Sequence, residues 1–510
     1  MKDKWLKGTI ILTITALLTK LLSMVYKIPY QNIVGDAGLY VFQQVYPLLG
    51  IYTVLSTVVL PSIISEILLR HHYQDQVKSQ MQRILWLFSG AVFGVLFLGS
   101  GVIARMMGDA HLASSIRWVG MVYLVLPHLA YLRGVHLSRP ETMGRVGISV
   151  TLEQLVRVIM ILVAIFNFNH LNPYRVAEMS YVLGLAGPIV SILYLGIFKK
   201  DDEPQRFIKK KVQLGFFRKT AYLFLNAGIL TIFQLIDSFM IFNALREAGM
   251  DGLEAMVQKG IYDRGFPIVQ SATFFIGALV ASTVPQMVEA KDEKQKKNVF
   301  SYALFNITAL SIPATLGLYL VMENLNIALF ENNLGTGALQ ILSLQVLFFP
   351  FIVLTAAIMQ QEERYGHMVV SILAGIFVKL MATPLLTGQM GIYGAALSSV
   401  AALGVMALIN LFTFRRRLVK ESFFNLLKVG FASLCMWLAL DYLRPVLPNL
   451  LGTTHERAFH VLALLVQGLG GTFVYGLIML LFILTTRTAT KPSKHRKRKK
   501  RAAAARPRKT

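Results

Sequence analysis

The sequence is poor in the residues on which metal, redox and nucleotide chemistry depends. It holds one cysteine, Cys435, which lies in an apolar stretch and cannot form an internal disulfide, a structural zinc site or a C-x-x-C redox pair. It lacks the phosphate loop G-x-x-x-x-G-K-[ST], the zinc motif H-E-x-x-H and the nucleophile elbow G-x-S-x-G. We therefore expect no cofactor, no metal site, no ATP-driven pumping within this chain and no enzyme activity.

Charged residues are also scarce, at 15% of the chain, against about 25% in soluble domains. Apolar residues make up 55% of the 510 residues, enough for at most about fourteen membrane spans of about 20 residues each. The composition excludes a soluble globular protein. It predicts an all-α polytopic membrane protein with short connections.

Apolar runs bounded by charged or Gly/Pro-rich breaks predict about fourteen transmembrane helices. The predicted spans are 8–29, 38–65, 83–106, 114–137, 145–168, 174–198, 217–243, 262–288, 299–321, 338–360, 367–386, 391–414, 423–443 and 458–485.

The distribution of Lys and Arg predicts how these helices are oriented. With the N-terminus inside, about 39 of the 51 Lys and Arg residues fall in inward segments, as the positive-inside rule requires. The outward segments and helix ends then include Lys259 and Arg264, whereas Arg133 counts as inward. We expect a multi-pass protein of the bacterial plasma membrane with both termini in the cytoplasm.

An internal repeat with an offset of about 222 residues divides the first twelve helices into two sets of six. Gly38-Leu39-Tyr40 matches Gly260-Ile261-Tyr262, and Arg157 matches Lys379. An even-numbered repeat predicts two lobes related by a pseudo-two-fold axis along the membrane normal. The predicted units are an N-lobe (1–198), a basic cytoplasmic linker (199–219), a C-lobe (220–417), two further helices (418–486) and a polybasic tail (487–510).

Charged residues at membrane depth are the best candidates for function, because they are costly there and normally face a cavity or a partner. The cations are Lys20, Lys27, Arg157, Arg264 and Lys379, which together could give the lobe interface a positive lining for an anionic substrate. Lys27 could instead extend to the outer interface. Lys379 has no acidic residue one turn before it on its own helix.

Two acidic residues accompany these cations. Asp237 could be an ion or proton site, or the counter-ion of a lysine in the first helix. Glu153 precedes Arg157 by four residues, which favours a same-face ion pair with a structural role.

The tail from 491 to 509 carries eleven basic residues and no acidic one. Beside a membrane, such a segment binds anionic lipid headgroups, at about 1 kcal/mol per charge. Basic runs also bind nucleic acid, but we favour lipid as the partner and expect no nucleic acid.

Three segments resemble a known family. Thr19-Lys20-Leu21-Leu22-Ser23 with Gly35-Asp36-Ala37-Gly38-Leu39-Tyr40, then Leu152-Glu153-Gln154-Leu155-Val156-Arg157-Val158, then Val378-Lys379-Leu380 with Gly391-Ile392-Tyr393-Gly394 are similar to motifs of the polysaccharide-biosynthesis exporters related to stage V sporulation protein B. These exporters belong to the multidrug/oligosaccharidyl-lipid/polysaccharide flippase superfamily, which includes the bacterial lipid II flippase.

The resemblance implies two six-helix lobes, an alternating-access cavity and a polyprenyl-diphosphate-linked saccharide as substrate. It gives Lys20 or Lys27, and Arg264, the role of cavity cations, and it gives the last two helices the placement of a lipid-tail groove. Helix 2 carries Gln43 and Gln44 and no arginine, which leaves open whether lipid II or another undecaprenyl-linked glycan is carried.

The sequence thus predicts a flippase for an undecaprenyl-diphosphate-linked saccharide, driven by the membrane potential or by H⁺ or Na⁺. A cation-coupled multidrug exporter of the same superfamily is the alternative, although its substrates favour an acidic cavity. A membrane glycan ligase or polymerase is a further alternative, although the outward connections are short for such an enzyme.

Overall fold

A computed structural model describes residues 2–70, 75–197, 215–273, 276–277, 287, 292–418, 420–451 and 457–490. Nineteen α-helices have defined bounds within these residues. They are α1 (Lys2–Val25), α2 (Lys27–Val54), α3 (Leu60–Arg70), α4 (Asp75–Leu98), α5 (Ser100–Met106), α6 (Ala113–Leu137), α7 (Met143–Phe168), α8 (Pro173–Gly184), α9 (Ala186–Ile197), α10 (Gly215–Ala227), α11 (Ile229–Glu247), α12 (Gly252–Asp263), α13 (Glu293–Phe330), α14 (Thr336–Ser343), α15 (Gln345–Gln361), α16 (Tyr365–Met390), α17 (Ile392–Phe414), α18 (Lys420–Leu451) and α19 (Arg457–Thr490).

Residues with known capping preferences start several of these helices. Asn172, Asp251 and Asp292 accept a hydrogen bond from the backbone N–H three residues ahead, at the starts of α8, α12 and α13. Such caps satisfy donors that the first helical turn leaves without a partner. Pro173 follows its cap at the first helical position, where its missing N–H costs nothing.

Twelve helical stretches of the described chain are long and apolar enough to cross a membrane. The first, Ile14–Leu69, is 56 residues long and covers the first two predicted spans. Gly35 breaks it with non-helical backbone angles (φ 80°, ψ 176°). Positive φ is readily adopted only by glycine, so Gly35 allows the chain to kink between the two predicted spans. The predicted spans therefore have counterparts in the described residues, except for 262–288, which the structure describes only in part. The all-α fold with two lobes is confirmed.

Each lobe is a bundle of its own helices. In the N-lobe α1 packs along α7, α4 along α6, and α7 against α8 and α9. In the C-lobe α16 packs along α17, and α11 against α16. Most of the predicted linker (199–219) and all of the basic tail from 491 onward lie outside the described residues, so the proposed boundaries there stay predictions.

The lobes meet where α2 packs against α11 and α12, and we call this surface the lobe seam. The two matched segments of the repeat, Gly38–Tyr40 and Gly260–Tyr262, lie on α2 and α12. A Cβ atom on Gly260 would lie 2.0 Å from the backbone oxygen of Asp36, so glycine is needed for this close approach.

The last two helices form an addition to the C-lobe. α18 and α19 pack against each other and against α13. The Tyr475 hydroxyl of α19 donates to the Ala309 carbonyl of α13 (2.6 Å), and Asn324 of α13 donates to Gln467 of α19 (2.9 Å). These contacts attach the pair to the outer flank of α13.

Replacing Gly260 by leucine should lower the thermal stability of the purified protein. The new side chain must push the backbone of α12 away from the backbone of α2, and overpacking of this kind costs about 1–3 kcal/mol of stability. Gly196→Leu in α9 is the matched control, because a Cβ atom there meets nothing within 4 Å. The melting temperature in detergent measures the difference. Equal melting temperatures for the two variants would contradict the close packing at the seam.

Candidate functional site

The strongest interaction across the lobe seam joins Arg264, which follows α12, to Asp36 of α2. The Arg264 guanidinium is fully buried. Its Nε donates to Asp36 Oδ1 (2.7 Å) and its Nη2 to Asp36 Oδ2, which makes the pair bidentate. Its Nη1 donates to Asn332 (2.8 Å) and to Asn326 (3.3 Å). Every face of this cation is therefore occupied by protein groups.

The expected cavity cation Arg264 thus has a counter-ion in the structure. This partner, Asp36, lies in the Gly35–Tyr40 motif, 228 residues away in sequence. In the sequence, Asp36 is a candidate only as part of a family motif. Nothing in the local spacing indicates that the two residues meet, because the packing of α2 on α12 brings them together.

Lys379 and Asp237 form a second buried pair, inside the C-lobe. Lys379 Nζ lies 2.5 Å from Asp237 Oδ1, and both side chains are almost completely buried. The ammonium also donates to Ser399 (2.6 Å) and Ser398 (3.2 Å), and the Tyr262 hydroxyl donates to Asp237 Oδ2 (2.9 Å).

This pair corrects two expectations. Lys379 is not a cation without an acidic partner, and Asp237 is paired with Lys379 rather than with a lysine of the first helix. The spacing of residues within one helix does not reveal the contact between Lys379 and Asp237, because α11 and α16 are distant in sequence and adjacent in the fold.

A third group of charges lies inside the N-lobe. Glu153 pairs with Arg157 four residues later, so the predicted same-face pair is confirmed. Glu153 also accepts from Arg133 Nη2 of α6 (2.6 Å). Arg133 is fully buried and donates further to Ser149 (3.1 Å). It lies in the second half of α6, which packs against α3, α7 and α9.

Lys27 is buried beside the seam, with its ammonium 4.8 Å from the centre of the Tyr46 ring. It therefore does not extend to solvent. Lys259 of α12, which sequence analysis placed in an outward segment, is buried and lies 2.5 Å from Asp263. The side chain of Lys20 lies outside the described residues.

The buried charges of the described chain are balanced in number. Six cations (Lys27, Arg133, Arg157, Lys259, Arg264, Lys379) accompany five buried acids (Asp109, Glu153, Glu178, Asp237, Asp263) and the mostly buried Asp36. Asp36, Glu153, Asp237 and Asp263 each contact at least one of these cations, whereas Asp109 accepts from the hydroxyls of Tyr40 (3.5 Å) and Tyr174 (2.7 Å). An anion at the seam would therefore need a cation that has left its carboxylate.

Further contacts across the seam close it at both ends. Near Asp36, the Asn243 amide donates to the Met106 carbonyl (2.9 Å), and Gln44 donates to the Ser238 carbonyl (2.5 Å). At the opposite end, Lys219 of α10 lies 2.5 Å from Glu66 of α3. Glu66 and Lys219 are about one third exposed. Among the described residues, this ion pair is therefore weaker than the buried pair of Arg264 and Asp36, which also joins the lobes.

The two lobes and the seam between them define a class of multi-pass helical membrane protein, and solved structures share this fold. The lipid II flippase MurJ in an inward closed conformation superposes with a TM-score of 0.70 at 13% identity, covering 94% of this chain and 99% of that one. An inward-facing multidrug transporter of the MATE family, MOP superfamily, gives 0.59 at 14% identity, covering 78% and 94%.

Sequence comparison shows the family. The profile of the family described as polysaccharide biosynthesis protein matches residues 5–291, and the chain belongs to that family. It is 33% identical over 436 residues to the uncharacterized membrane protein YabM of Bacillus subtilis (82% of this chain, 81% of YabM). It is 24% identical to the lipid II flippase MurJ of the same organism (80% and 81%) and 21% identical to its stage V sporulation protein B (80% and 83%). The resemblance inferred from the motifs is thus confirmed.

The Asp237–Lys379 pair should behave as a stability element in a double-mutant experiment. Asp237→Asn or Lys379→Met alone leaves one charge buried without its partner, which costs about 3–5 kcal/mol. The double variant removes both charges and should recover most of that loss. Thermal unfolding in detergent of the wild type, the two single variants and the double variant measures the coupling. Additive losses in the double variant would show that the pair contributes little.

Proposed function

We propose that this protein moves a polyprenyl-diphosphate-linked saccharide across the bacterial plasma membrane by alternating access. The two lobes rock about the seam, the diphosphate headgroup passes between them, and the polyprenyl chain stays in the lipid. Lipid II and other undecaprenyl-linked glycan precursors both fit this class of substrate.

The observation that carries the proposal is the Arg264–Asp36 pair. It is bidentate, buried and joins the lobes, so it must break when they separate at that end. Separation of the lobes then exposes the Nε and Nη2 donors of Arg264 to the space that opens between them. Arginine binds phosphate oxygens in the same bidentate manner as carboxylate, so a diphosphate is a chemically suitable replacement for Asp36.

The charges inside each lobe keep their partners in the proposed cycle. Arg133 and Arg157 share Glu153, which leaves one net positive charge in the N-lobe, whereas Asp237 neutralises Lys379 in the C-lobe. An inside-negative membrane potential assists export of an anionic lipid, at about 2.3 kcal/mol per charge per 100 mV. We assign Asp237 and Glu153 the role of counter-ions, since each already contacts a buried cation; H⁺ or Na⁺ coupling would require those contacts to break.

Export of cationic drugs is the less favoured function. A cationic substrate needs an acidic group that is available to it. Asp36, Glu153, Asp237 and Asp263 each contact a cation, and Asp109 accepts from the hydroxyls of Tyr40 and Tyr174. The likeness to the MATE transporter concerns the fold, which serves more than one substrate class.

Transport of a fluorescent undecaprenyl-diphosphate oligosaccharide into proteoliposomes tests the proposal. Arg264→Gln should reduce the initial rate at least about tenfold, since a substrate contact with a charged group is worth about 1.5–3 kcal/mol. Arg246→Gln removes the same charge from an exposed arginine at the end of α11 and should leave the rate unchanged. Circular dichroism and melting temperature establish that both variants fold. Equal rates for the two variants, or no transport of several such lipids by the wild type, would contradict the proposal.

The proposed orientation, with both termini in the cytoplasm, has its own test. In a Cys435→Ser background, an impermeant maleimide added to intact cells should label Asn333→Cys, which precedes α14. It should label Glu363→Cys, in the turn before α16, only after the cells are opened. Both positions are exposed, and they lie at opposite ends of the stretch formed by α14 and α15. The reverse pattern would invert the proposed topology.

A further inference from the structure

A second charged site lies in the C-lobe, away from the lobe seam. It is a cavity of about 400 Å³ whose cations come from three segments: Lys297 from α13, Arg364 from the turn before α16, and Arg415, Arg416 and Arg417 after α17. Glu293, His367, Phe412 and Thr413 complete the lining. We call this site the basic cavity.

Among the described residues, the carboxylates near the basic cavity are fewer than its cations. Glu362 accepts from Arg417 Nη2 (2.6 Å) and lies 3.7 Å from Arg364 Nη1. Glu293 faces Lys296 (3.3 Å), which does not line the cavity. Two described carboxylates thus lie near the five cations of the lining.

One hydrogen-bond donor in the basic cavity has no acceptor among the described residues. Arg417 Nη1 is buried and has no hydrogen-bond acceptor among the described residues. A buried guanidinium nitrogen without an acceptor is costly, so this position favours an anionic ligand.

An apolar pocket of about 500 Å³ is lined by two of the same segments, α13 and the end of α17 with the residues that follow it. It lies between α13, α15, α17 and the beginning of α18, and its lining is almost wholly aliphatic and aromatic. Residues next to each other in sequence line the two sites. Leu411 and Leu418 line the apolar pocket, and their neighbours Phe412 and Arg417 line the basic cavity. On α13, Lys297 and Leu304 are seven residues apart and therefore about two turns apart on one face.

The apolar pocket is open to the surroundings of the bundle. Leu408 and Phe423 at its rim are 65% and 62% exposed. In a protein that spans a membrane, such a flank faces lipid chains. Its volume is within the range of about 300–1,000 Å³ that is usual for ligand pockets.

We propose that the basic cavity and the apolar pocket together bind one membrane phospholipid with an anionic headgroup. The phosphate contacts Arg415, Arg416 and Arg417, and an acyl chain fills the pocket beneath them. Basic pockets between transmembrane helices bind anionic lipid headgroups in this way. Because the three arginines connect α17 to α18, the bound lipid fastens the last two helices to the C-lobe.

The transported lipid is not the occupant that this site favours. None of the lining residues takes part in the contacts across the lobe seam, and the pocket opens on the flank of α13, α17 and α18. The proposal therefore does not depend on what the lobes carry. A resident phospholipid would remain in place while the lobes move.

Native mass spectrometry of the purified full-length protein, incubated with equal amounts of phosphatidylglycerol and phosphatidylcholine, tests the headgroup. The wild type should retain phosphatidylglycerol at least about fivefold over phosphatidylcholine, and the melting temperature should rise with the former lipid. Arg415→Gln/Arg416→Gln should lose this preference. Arg105→Gln/Arg246→Gln, which removes two exposed arginines from the seam end marked by Asp36, should keep it.

A second variant pair tests the acyl chain and remains informative if the double arginine variant does not fold. Gly404 lines the apolar pocket within α17, and a Cβ atom there meets nothing within 4 Å. Gly404→Leu should fill the pocket, keep the helix and reduce phosphatidylglycerol retention severalfold. Gly430→Leu in α18, where a Cβ atom also meets nothing, should retain the lipid as the wild type does.

Four results would overturn the proposal. The wild type could show no preference between the lipids, or the control variants could lose as much lipid as the test variants. Glycerol phosphate could raise the melting temperature as much as phosphatidylglycerol does, which would leave the apolar pocket without a role. Undecaprenyl diphosphate could displace phosphatidylglycerol at equal concentration, which would make the site part of the transport route.

Discussion

A charge placed at membrane depth must find a partner, because the surrounding hydrocarbon and packed side chains solvate it poorly. This requirement shapes the centre of the protein. Asp36, Glu153, Asp237 and Asp263 each contact a buried cation, and the remaining donors of those cations reach serine and asparagine side chains or aromatic rings. The helix faces that meet inside the bundle are the faces that carry these residues.

The pairs divide into two kinds according to the helices that they join. Arg133, Glu153 and Arg157 lie within the N-lobe, and Asp237 and Lys379 lie within the C-lobe. Those pairs can persist while each lobe moves as a unit. Arg264 and Asp36 belong to different lobes, so their contact changes with the separation of the lobes. In the proposed transport cycle, this buried pair links the separation of the lobes to the availability of a cation for an anionic headgroup.

Sequence reasoning succeeds where the physical signal is local. Apolar runs, Gly/Pro breaks and the i,i+4 spacing of Glu153 and Arg157 are local, and the structure agrees with them. It fails for the partner of Lys379, which lies on another helix. It also fails for Lys259, because a charged residue near the end of an apolar run can be counted as a connection or as part of a span. Burial by neighbouring helices decides between the two, and that information lies in residues far along the chain. The sequence did not predict the basic cavity for the same reason, since Lys297, Arg364 and Arg417 come from three separate segments.

The amino-acid sequence by itself determined the class of protein, the limits of most spans and the family. These follow from hydrophobicity and short motifs, which act over a few residues. The tertiary structure alone decided which charges neutralise one another and which remain available, because helix rotation and packing select the partners. The pairing of Arg264 with Asp36, across 228 residues and between two lobes, is such a decision.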